Sequence, residues 1–124
     1  MNQDFLQGTW VEVEPEELIQ YEGDNYQFTF SQDSFFAEIH YWTDVIMDTC
    51  SIIDWTYKIN GKYVVSLDSI EFTGIISTVP DNCDTITHKY NFHKKSEFYI
   101  ISESEFILDP NPEEEYYQIR LVKK

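Results

Sequence analysis

The chain carries few groups that could do chemistry, and their spacing limits what they could do. Its only imidazoles are His40, His88 and His93. His88 and His93 are five apart, so on a strand they point to opposite faces and cannot chelate together. His40 and Glu38 are two apart and share a face, which could make an acid–base or metal pair. The competing reading is a polar outer face. Cys50 and Cys83 are the only cysteines, and neither belongs to a Cys-x-x-Cys, which argues against a redox motif or a zinc site. Both lie beside expected loops. A disulfide between them would suit an exported protein and stabilise it by roughly 3–4 kcal/mol, and two free thiols are the alternative.

The motif search turns up no catalytic constellation. There is no Gly-x-Ser-x-Gly, His-Glu-x-x-His, phosphate loop or calcium loop. Asp44 and Asp48 flank Val45-Ile46-Met47 without EF-hand spacing. That apolar segment between acids could be a flap over a barrel mouth or a packed loop. The expectation is a protein that is not an enzyme, with no cofactor and no resident metal.

Charge narrows the partners further. The formal net charge is −15, and residues 1–57 hold twelve Asp or Glu and no Lys or Arg. The first basic residue is Lys58. Nucleic-acid binding needs Lys and Arg to replace counterions along phosphates, so nucleic acid is excluded as an expected partner. An anionic membrane surface is disfavoured by the same repulsion. The acidic surface reads first as solubilising, with a cationic partner or divalent metal as the alternative.

The elements that must position these residues are strands. The 124 residues are 42% hydrophobic and 17% aromatic, enough for one domain spanning the whole chain with its own core. Alternating, β-rich runs suggest ten strands, near 9–14, 26–31, 34–42, 51–59, 62–68, 70–79, 85–94, 97–102, 104–108 and 116–122. Asn60-Gly61 predicts a type I′ hairpin turn, since both residues tolerate positive φ. Helix is limited to one turn at Pro15–Ile19, and loops are expected at 21–25, 43–49, 80–84 and 109–115. The fold class is all-β, a single up-and-down antiparallel barrel of about eight to ten strands with little helix.

The two-residue period gives the interior. Phe28, Phe30, Ile39, Tyr41, Trp55, Tyr57, Tyr63, Val65, Tyr90 and Phe92 are the expected inward side chains. All but Val65 are candidate ligand contacts. The acidic exterior should favour neutral or cationic ligands with apolar bodies over fatty acids.

Phe5-Leu6-Gln7-Gly8-Thr9-Trp10 resembles the opening of lipocalins and fatty-acid-binding proteins, whose first strand carries Gly-x-Trp. Arg120, the only arginine, stands in the terminal run Tyr117–Val122. In that calycin superfamily a last-strand arginine lies across the first-strand tryptophan. The resemblance therefore implies that Trp10 and Arg120 close one barrel end, with about 1–3 kcal/mol lost in Arg120→Ala. The stretch Pro15–Asn25 is too short for the two-helix lid of fatty-acid-binding proteins, and Val122 stands where their Arg-x-Tyr pair has tyrosine. Glu12 and Glu14 share parity with Trp10, which a bulge after the tryptophan would explain.

The match is closest to small, lidless bacterial lipocalin-like domains. It implies a carrier of a small apolar or aromatic ligand, monomeric or weakly dimeric. The alternative is a barrel filled by its own aromatics, serving as a structural or protein-interaction module of the cell envelope. An extracytoplasmic location, periplasm or cell surface, follows from the same resemblance. Met1–Gln3 lead straight into polar sequence without a signal peptide, so a cytoplasmic location stays open.

Overall fold

The computed structural model describes residues 1–13, 22–43, 54–80, 86–114 and 118–124. A short helix, α1 (Gln3–Leu6), precedes eight strands. These are β1 (Gly8–Glu12), β2 (Glu22–Ser31), β3 (Ser34–Thr43), β4 (Asp54–Val65), β5 (Ser69–Thr78), β6 (Lys89–Ser102), β7 (Glu105–Leu108) and β8 (Ile119–Lys123). Each pairs antiparallel with the next, and β8 returns to β1, closing an up-and-down barrel. Closure removes the exposed edges that an open sheet of this composition would present.

Two expected breaks are absent, which is why ten runs become eight strands. Asn60-Gly61 is no turn: β4 runs straight through it, pairing with β3 on one side and β5 on the other. Positive φ occurs only at Gly8, Gln32 and Asp109 among the described residues. Glycine is needed at position 61 for close approach instead. A Cβ there would lie 1.9 Å from Thr73 O, and one at its cross-strand partner Gly74 would lie 2.0 Å from Asn60 O. Likewise 85–94 and 97–102 are not separate strands, because β6 continues through Lys95-Ser96. Its first half pairs with β5 and its second half with β7.

The tight β2–β3 hairpin forms at Gln32-Asp33, with Gln32 at φ 57°. Residues 22–25, expected as loop, extend β2. The β4–β5 connection at Ser66–Asp68 breaks the 62–79 region, closed by Ser66 N–H to Ser69 O at 2.8 Å. The helical turn at 15–19, the apolar segment 45–47, Glu14, Cys50 and Cys83 lie outside the described residues.

Helix α1 seals one barrel end. Asn2 caps it by accepting from Phe5 N–H at 2.9 Å, and Leu6 is fully buried. Trp10, also fully buried, donates its indole N–H to Leu6 O at 2.7 Å and packs edge-on against Phe106. Phe5 covers both rings. Gln7 ties the seal to the β2–β3 turn, accepting from Gln32 N–H and donating to Tyr63 Oη at 2.8 Å. Tyr63 in turn donates to Gln32 O. Above this plug, Phe30, Phe35, Tyr63 and Phe72 form an interlocked aromatic layer. Burying such rings contributes roughly 1.5–3 kcal/mol each.

Candidate functional site

Among the described residues, inward side chains of successive strands surround an unfilled internal space. It has a volume of about 150 Å³ and is lined from every strand except β1. Tyr26 and Phe28 come from β2, Phe35 and Ile39 from β3, Ile59 from β4 and Phe72 from β5. Phe92, Lys94 and Ser96 come from β6, Leu108 from β7 and Ile119 from β8.

Besides the phenol of Tyr26, the polar groups of the lining form one corner on β6. The registers Phe72↔Lys94 and Ile70↔Ser96 put Lys94 and Ser96 on the same face as buried Phe72 and Ile70. Lys94 Nζ lies 2.8 Å from Asp109 Oδ2, and Ser96 Oγ donates to the same oxygen at 3.4 Å. Asp109 follows β7 in the left-handed region, φ 51°, and its N–H bonds Glu97 O at 2.8 Å. Aspartate tolerates that backbone better than most residues. The result is a cation and an anion side by side at the rim of an apolar space.

Three of the nine expected ligand contacts, Phe28, Ile39 and Phe92, line this cavity. Phe30 and Tyr63 belong to the packed end instead. Tyr41 and Tyr57 are half-buried beyond the lining, and Tyr90 is exposed, stacked on His88. The side chain of Trp55 lies outside what the structure describes. Val65 packs on the core near the sealed end. Sequence reading missed Lys94 and Ser96, although both share the parity of Tyr90 and Phe92. Carrying that strand past Lys94 would have placed them inward.

The expected contact between Trp10 and Arg120 does not form. Ile119 and Leu121 are buried, so Arg120 between them points outward, where its Nε bonds Glu105 Oε1. The β1–β8 register instead sets Lys123 opposite Trp10, with Nζ 5.7 Å from the ring centroid. A cation does lie over the first-strand tryptophan, supplied three residues downstream. The bulge expected after Trp10 is also absent, because Trp10, Val11 and Glu12 pair continuously with Lys123, Val122 and Leu121. Glu12 keeps inward parity and accepts from Tyr26 N–H at 3.1 Å, standing in for a backbone acceptor where β1 leaves β2.

The remaining titratable candidates sit apart from the cavity. His40 is exposed on the outer face with Glu38, and His93 contacts Glu71 at 3.2 Å on that face. Among the described residues, no three His, Cys, Asp or Glu converge as metal ligands would. Comparison of the chain with protein-family models, curated proteins and solved structures found no match.

Proposed function

We propose that the barrel carries a small, mainly apolar or aromatic ligand in the cavity above its aromatic layer, as a lipocalin-like carrier. The observation behind this reading is the cavity of about 150 Å³ with an apolar lining drawn from seven strands. A dry apolar cavity of about that size accepts benzene. The Gly-Thr-Trp opening, the eight-stranded closed barrel and the cation over Trp10 are the features in keeping with a lipocalin-like lineage. They are architectural, and say nothing of which ligand is carried.

The filled-barrel reading draws on a different observation, the solid packing of Trp10, Phe30, Tyr63, Phe72 and Phe106 at the sealed end. The two readings divide on whether the space above is used. Thermal unfolding with toluene, benzene or xenon tests this directly. A ligand that binds only the native state raises Tm with concentration, by RT ln(1 + [L]/Kd). A saturable rise, with shifted NMR signals at Phe28, Phe92 and Ile119, supports the carrier. No shift at millimolar probe favours the filled barrel.

A further inference from the structure

We infer that this cavity selects neutral ligands bearing one hydroxyl or amide on a ring-sized apolar body, and that the Lys94–Asp109 pair makes the selection. The inference rests on the cavity being a ligand site, as proposed above. Among the described residues, Lys94 is the only cationic one in the lining, in a chain of net charge −15. Taken alone, an inward lysine would invite a carboxylate. It is not alone, because Asp109 Oδ2 stands 2.8 Å from its Nζ.

The hydrogen-bond inventory of the pair defines what fits. An ammonium has three N–H donors, and Asp109 takes one of them. The bonds from Lys94 and Ser96 both fall on Asp109 Oδ2, leaving Oδ1 as a spare acceptor. Donors and an acceptor therefore stand together with no net charge. A hydroxyl or amide uses both without breaking the pair. A carboxylate placed there is repelled by Asp109, and an ammonium by Lys94.

The pair is well placed for a headgroup. Ser96 is 1% exposed, anchoring the inner side, while the Lys94 and Asp109 side chains keep 43% and 33% of their surface. A ligand ring in the apolar space would thus present its polar end at the rim, where water completes its hydrogen bonds. Desolvation there is small, so the selectivity is that of a half-exposed ion pair, roughly two- to fivefold.

Four probes of similar size separate the possibilities: toluene, benzyl alcohol, benzoate and benzylammonium, titrated at pH 7 by NMR and thermal shift. Benzyl alcohol is expected to bind several-fold tighter than either ion. Asp109→Asn, which suits the left-handed backbone equally well, should raise benzoate affinity several-fold and leave toluene unchanged. Lys94→Met should instead favour benzylammonium. Benzoate as the tightest ligand of the unaltered protein would overturn the inference. So would toluene binding with a benzoate affinity that Asp109→Asn does not move, and that result leaves the carrier reading intact. Failure of all four probes, toluene included, overturns both.

Discussion

Replacing Gly61 with alanine is a sharp test of the barrel geometry. The new Cβ would meet Thr73 O at 1.9 Å, Gly74 Cα at 2.7 Å and Thr73 C at 2.8 Å. All three are backbone atoms, so no side chain can swing aside. An ordinary contact starts near 3.4 Å, which means β4 and β5 must part locally by about 1.5 Å. That separation stretches the flanking ladder bonds beyond hydrogen-bond range, at about 1 kcal/mol each. Overpacking adds roughly 1–3 kcal/mol, and the lower chain entropy of alanine returns about 0.4–1 kcal/mol. The net loss should be about 3 kcal/mol, or a fall in Tm on the order of 10 °C for a domain of this size.

Urea unfolding followed by Trp fluorescence measures it, with an unchanged m-value confirming that stability alone has shifted. Gly74→Ala should cost as much, since its Cβ meets Asn60 O at 2.0 Å. The two should not add: once the strands have parted for one methyl, the second finds room. Asn60→Thr provides the control. Asn60 is exposed in mid-strand, so threonine should be neutral within about 0.5 kcal/mol, whereas a turn asparagine would be missed. A loss under about 1 kcal/mol for either glycine, or simple additivity in the double variant, would refute the close approach of β4 and β5.

Lys123→Ala should destabilise by about 0.5–1 kcal/mol through the lost contact with Trp10, and Arg120→Ala by no more than about that, its own side chain being half exposed beside Glu105. Denaturant titration of both variants checks the order, and a loss from Arg120→Ala well above that from Lys123→Ala would reverse the assignment. Burial raises the Tyr63 pKa above 10.0, with hydrogen bonds from Gln7 and Gln3 opposing and Asp33 and Asp4 reinforcing. The unfolded tyrosine ionises first, so this contribution is complete below pH 10 and disappears as pH climbs through the folded value. Tyr63→Phe should cost about 1–2 kcal/mol at neutral pH and flatten the alkaline limb, which a pH series of melting curves would show.

Period-two alternation made the fold legible because a closed barrel enforces it on every strand. Tyr26-Gln27-Phe28-Thr29-Phe30 reads inward and outward as the structure places it, and 34–42 was matched to within a residue. Alternation has no means of telling where a strand stops. Asn60-Gly61 carries a turn composition, yet glycine answers two different needs, positive φ and absence of a Cβ. Only the neighbouring strand decides between them, through Gly74, thirteen residues away in sequence and directly opposite in space. The site was hidden for a related reason. Lys94 breaks the apolar pattern that would have marked it as inward, and its partner Asp109 reads as the start of a loop. The resemblance to lipocalins put Arg120 over Trp10, whereas Lys123 lies there, because register, not residue type, sets which side chain crosses the seam.

Strand length explains why packing and cavity divide the barrel between them. β7, β8 and β1 have four or five residues, while β2 to β6 have ten to fourteen. At about 3.3 Å per residue the short strands wall off roughly 15 Å and the long ones twice that or more. Below the level of the short strands the wall is complete, and aromatics from all sides meet and fill it. Leu108 ends the inward row of β7 and Ile119 begins that of β8, and both line the cavity. Among the described residues, the unfilled space therefore sits where the wall steps down. Lys94 and Asp109 stand at that step, across the line where β6 parts from β7. An ion pair is tolerated there because it reaches water, whereas the same pair inside the aromatic layer would carry a heavy desolvation cost.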